Sequence, residues 1–124
     1  MTDRQLIITA ALTLLAGVAA GAFGAHGLKR ILSPDLIAVW QTAVLYQLIH
    51  GLGMLAIAAL SARFGSPLLS LAGALMFLGV VLFSGSLYLL ALTGVKWLGP
   101  ITPIGGVAFI AAWALVAVAA YRTT

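Results

Sequence analysis

In the segment WQTAVLYQLIHG, residues 40 to 51, Thr42, Tyr46 and His50 recur every four residues, and Gln47 stands three before His50. On a helix this spacing draws them into one polar stripe. A second group, Ser84, Ser86 and Tyr88, lies in LFSGSLYLLALTG. Counting inward along a helix from Trp40 puts His50 about 15 Å deep, and counting back from Leu92 puts Ser84 about 12 Å deep, so the two groups can meet. Two chemistries suit that meeting. One is hydrogen bonding between helices, worth about 0.6 kcal/mol on average in a membrane. The other is a path for a proton or solute that uses the His50 imidazole.

Other chemistries lack their parts. No carboxylate lies in these apolar segments to orient His50 as a triad with Ser84 or Ser86 requires, so the chain reads as non-enzymatic. Axial haem ligation needs two histidines at one depth on facing helices, whereas His26 ends an apolar run and His50 lies about 15 Å deeper. A dedicated metal site wants three or four ligands, and only Asp3 and Asp35 supplement the histidines. The sequence therefore implies no cofactor and no metal. Cysteine is absent, which removes disulfides and thiolate chemistry.

The stretch GAFGAHGLKR, residues 21 to 30, ends the first apolar run in small residues, a histidine and two cations. It reads as a close-packed helix exit whose cations rest among lipid phosphates. A sharper reading joins His26, Lys29 and Arg30 to Lys96 and to the exposed N–H groups of the last helix near Thr102, Gly105 and Gly106, forming a site for an anion or headgroup.

These residues need spanning elements to hold them. The chain has 124 residues, 64% of them hydrophobic and 6% charged, with mean hydropathy of +1.23. That balance belongs to a membrane protein. The net charge of +4 comes from cations scattered singly or as one pair, which fits membrane flanks and gives no basic cluster for nucleic acid. Charges punctuate the chain, leaving uncharged runs from Gln5 to Leu28, Leu36 to Ala62, Phe64 to Val95 and Trp97 to Tyr121. Each exceeds the roughly 20 residues that cross a bilayer as a helix. The expected architecture is all-α: an antiparallel bundle of four transmembrane helices over about residues 5–25, 34–60, 68–92 and 102–121, in a single domain.

Local signals set the ends. Ser33, Pro34 and Asp35 form a cap, a first-turn proline and a carboxylate at a helix start. Gly65 and Pro67 in SARFGSP end one helix and open the next. Thr102 and Pro103 repeat the cap-then-proline signal for the last helix. Trp40 and Tyr46 are expected at the headgroup level. Gly17 with Gly21, Ala20 with Gly24, and Ala108 with Ala112 allow close backbone approach to another helix of the chain or to a second copy. Arg4 followed by an apolar run and Ala20-Gly21-Ala22 mimics a secretory signal, but the run is long for a signal core and is expected to stay as the first span. Positive charges are tied, with Arg4, Arg63 and Arg122 on one side and Lys29, Arg30 and Lys96 on the other. If the first helix dominates, Lys29 and Arg30 draw the first loop to the cytoplasm.

Together, GAFGAHGL, WQTAVLYQLIHG, LFSGSLYLLALTG and ITPIGGVAFI, in that order over nearly the whole chain, resemble the bacterial family catalogued as domain of unknown function 423, also called UPF 0382. The chain is also similar to the metazoan relative called transmembrane protein 256. The resemblance implies a four-helix, multi-pass protein of the bacterial inner membrane and supplies no catalytic residue. The expected partners are membrane lipids, with another membrane protein or further copies of this chain, and the expected role is that of an accessory or scaffold element. A small oligomeric transporter or channel using the stripe around His50 is the alternative.

Overall fold

Each span starts where a short polar side chain can cap it. The computed structural model describes residues 1–122. Helix α1 covers Asp3–His26, with Thr2 and Gln5 forming a reciprocal capping box. Helix α2 covers Pro34–Phe64, capped by Ser33 with Pro34 in the first turn, and Gly65 closes it in the left-handed region at φ 54°. Ser66 caps α3, Pro67–Gly79. One π turn, Val80–Ser84, leads into α4, Gly85–Thr93, which Gly94 ends at φ 71°. After a 3₁₀ turn at Lys96–Leu98, α5 runs over Ile101–Arg122.

The sequence-based boundaries hold to within a few residues, with two differences. The third span is not a continuous α-helix: the Gly85 N–H reaches five residues back to the Val80 carbonyl, inserting a residue into the turn. Thr102 is not the cap of the last helix, because α5 already begins at Ile101 and the Thr102 hydroxyl lies 2.6 Å from that of Ser86.

Four helical stretches of 27 to 31 residues are long and apolar enough to span a bilayer. Large apolar side chains such as Leu15, Val18, Val107 and Ile110 are exposed on their outer faces. In water such a surface would aggregate, whereas in a bilayer it meets lipid tails. The helices pack in a zigzag: α1 lies on α2, α2 on the third span, and the third span on α5, while α1 and α5 do not touch. Toward the chain termini the core is Leu6, Met54, Ile57, Leu69, Met76 and their neighbours. Toward the longer loops it is Leu28, Trp40 and Ala91. Between these apolar clusters lies a polar and aromatic layer.

Candidate functional site

Helix α2 forms the spine of that layer, burying Ala43, Gln47 and His50 at successive turns, with Trp40 of the loop-side cluster one turn before them. Toward α1, the Trp40 indole donates to the Ala20 carbonyl at 2.8 Å and the Gln47 amide donates to the Thr13 carbonyl at 2.9 Å. The Tyr88 hydroxyl donates to Gln47 Oε1 at 2.5 Å, and the Trp40 and Tyr88 rings pack with centroids 4.5 Å apart. Ser84, fully buried in the π turn, donates to the Ala43 carbonyl at 2.7 Å. The inserted residue thus turns a serine onto the α2 backbone. Tyr88 thus meets Gln47, and Ser84 meets the α2 backbone at Ala43, whereas His50 and Ser84, whose depths were compared, make no bond to each other.

His50 joins a different set. Its Nδ1 lies 2.8 Å from the Tyr46 carbonyl, and the Trp113 indole donates to its Nε2 at 3.0 Å. A carbonyl only accepts and an indole N–H only donates, so these contacts assign the proton to Nδ1 and the lone pair to Nε2. The imidazole stacks on Phe109 with centroids 3.6 Å apart. Tyr46 packs on Phe83 with centroids 4.4 Å apart.

The expected single stripe therefore divides. Every fourth residue on a helix advances by about 40°, so over two such steps Thr42 drifts away from His50. Thr42 is exposed and donates to its own Ala38 carbonyl. Ser86 faces Thr102 on α5 and not His50. Among the described residues every buried side-chain nitrogen and oxygen has a hydrogen-bond partner. No group of three or more metal-ligating side chains occurs among them.

Trp40 and Tyr46 do not sit as an interfacial belt. Trp40 is buried because Gly24 leaves room for its ring and Ala20 supplies an acceptor, and Tyr46 is half-buried among aromatic rings. The exposed rings near the span ends are those of Trp97 and Tyr121.

The lysine and arginine residues expected to form an anion or headgroup site lie on two turns of the chain. His26, Lys29, Arg30 and Lys96 are exposed. The turn carrying Lys29 and Arg30 packs on α1 and α2, whereas that carrying Lys96 packs on α4 and α5. Thr102 is engaged by Ser86, and Gly105 is pressed against the Phe83 backbone, where a Cβ would collide. Gly106 faces a groove instead.

The small-residue stripe on α1 has an intramolecular partner. Gly17 backs onto Leu48 and Gln47, Gly21 onto Val44 and Gly24 onto Trp40, all on α2. Ala108 and Ala112 are buried where α5 meets the third span.

Sequence reasoning missed Thr13, Phe83, Phe109 and Trp113. Trp113 carried a signal: it stands in the middle of an apolar span, away from the span ends where tryptophan ordinarily gathers. Of the lateral grooves, two border the buried polar side chains of the layer. One, about 500 Å³, opens between α2 and α5 and is lined by Tyr46, His50, Phe83, Gly106, Phe109 and Trp113. The other, about 410 Å³, lies between α1 and the third span with Thr13 and Gln47 among its lining.

A family model described as "Protein of unknown function (DUF423)" matches residues 20–106. A UPF0382 membrane protein of Staphylococcus haemolyticus is 50% identical over 119 residues, covering 96% of this chain and 97% of its own. The UPF0382 membrane protein YwdK of Bacillus subtilis is 47% identical over 120 residues, covering 96% and 98%. A relative from Staphylococcus saprophyticus is 47% identical over 119 residues, covering 96% and 98%. No solved structure matches the chain.

Proposed function

Because this chain belongs to the DUF423 family, whose relatives carry the name UPF0382 membrane protein, we propose that it is a non-enzymatic accessory element of the bacterial inner membrane, packing against other membrane helices and lipids. The observation that carries this reading is the division of the intramembrane polar groups into separate, satisfied bonds. Gln47 links α1 to Tyr88, Ser84 links the π turn to α2, Ser86 faces Thr102, and His50 meets Trp113. A proton or solute path needs polar groups that can exchange partners along a route, and ionisable ones to couple it. Here each group ties one helix to the next, the ordinary use of polar side chains in a bundle. The paired Lys29 and Arg30 favour a cytoplasmic first loop.

His50→Leu tests the reading in proteoliposomes. The expected result is an ion and solute flux equal to that of wild type and of empty vesicles, with a bundle that unfolds at slightly lower denaturant. Wild-type flux that disappears in a correctly folded His50→Leu variant overturns the accessory role in favour of an oligomeric path.

A further inference from the structure

The phenol of Tyr46 stands out against the satisfied polar layer. Its ring packs on Phe83, but its hydroxyl, which the protein does not enclose, makes no side-chain hydrogen bond among the described residues. Its position makes that costly. The middle residue of α2 is Ile49, so Tyr46 lies about 4.5 Å along the axis from the centre of the span. Phe83 lies three residues from Val80 at the centre of the third span, and Phe109 and Trp113 bracket the centre of α5. A hydroxyl at that depth faces hydrocarbon, which offers it neither donor nor acceptor.

The groove that Tyr46 lines has a definite size. At about 500 Å³ it falls in the ordinary range of small-molecule sites. Its lining spans residues 45 to 50 on α2 and 106 to 113 on α5, a window about 8 to 11 Å tall at the helical rise. A transmembrane partner helix needs a seam along most of a core of about 30 Å, so the window suits a ring and not a helix. Its walls are aromatic side chains: Tyr46 packed on Phe83, Phe83 near Phe109 at 5.6 Å between centroids, and His50 stacked on Phe109. Such side chains favour a flat ring. Phospholipid tails carry no acceptor at this depth. A carbonyl-bearing ring on a hydrocarbon tail carries one and is soluble in the bilayer core.

We propose that the α2–α5 groove binds a quinone-class lipid, its uncharged ring lying against Phe83 and Phe109 with one carbonyl oxygen accepting from Tyr46. The tail leaves through the open side into the membrane. Binding is independent of the accessory role: a companion complex found without quinone binding removes only this inference, and quinone binding without a companion leaves it standing.

The test uses the full chain in phosphatidylcholine nanodiscs, titrated with a decyl-substituted benzoquinone while tryptophan fluorescence is followed, Trp113 being at the groove. Wild type should show saturable quenching. Tyr46→Phe keeps the ring contacts and removes the donor, and should weaken binding about three- to tenfold, the range for one hydrogen bond. Gly106→Leu should abolish the saturable phase, because its Cβ finds only Phe83 at 3.9 Å and the rest of the side chain fills the groove. If Gly106→Leu does not assemble, Tyr46→Phe carries the test. Quenching that rises linearly and equally in all three proteins is partition into lipid and overturns the proposal. So does a phospholipid or a membrane protein retained by wild type and lost from Gly106→Leu when no saturable quinone phase exists.

Discussion

The two flanks of α2 are built on opposite plans. Toward α1, glycines at 17, 21 and 24 let the backbones close, and Trp40 and Gln47 bond directly to α1 carbonyls. Toward α5, aromatic rings hold the helices apart around a groove, and among the described residues one side-chain bond across it joins Trp113 to His50. Small residues bring a carbonyl within reach of a side chain; large flat ones keep helices at ring distance. The first flank closes to a cleft of about 210 Å³ beside Gly21, Gly24 and Trp40, whereas the second keeps a groove of about 500 Å³.

That contrast sets an order of effects for unfolding in mixed micelles. Gly24→Ala should cost most, about 2 kcal/mol, because the new Cβ would lie 2.6 Å from the Trp40 indole and push its N–H off Ala20. Gln47→Leu should cost about 1.5 kcal/mol, since it removes the bond to Thr13 and leaves the Tyr88 hydroxyl without its acceptor. Trp113→Phe, which keeps a ring but deletes the donor to His50, should cost about 0.6 kcal/mol. Gly106→Ala should change stability by less than about 0.5 kcal/mol, its Cβ meeting only the Phe83 ring at 3.9 Å. Equal costs for Gly24→Ala and Gly106→Ala would mean that both flanks are closed alike.

Local chemistry made the spans legible. Charges mark the ends of the apolar runs, and Ser33-Pro34-Asp35 and Gly65 act through their own backbone neighbourhood, so they read correctly without a partner. What depends on a neighbouring helix did not show. Trp40 looks interfacial until Gly24 and Ala20 are seen opposite it. The π turn follows from how Ser84 and Phe83 meet α2 and α5, which no local propensity encodes. Helical rise fixes height, so polar residues of α2 and of the third span could be expected at similar depths, and Tyr88 does reach Gln47. Direction around the helix was not legible, and Thr42 and His50 parted for that reason. Sequence likewise puts Lys29, Arg30 and Lys96 on one membrane face, while the neighbours of each turn, α1 and α2 for the first pair and α4 and α5 for Lys96, follow from helix order.

The most direct test of the accessory role is native mass spectrometry of the protein released gently from its own membrane, with mass, lipid and companions read in one spectrum. A larger assembly containing this chain at fixed stoichiometry with another membrane protein is the expected result. A homo-oligomer free of companions would contradict it and turn attention to flux through His50.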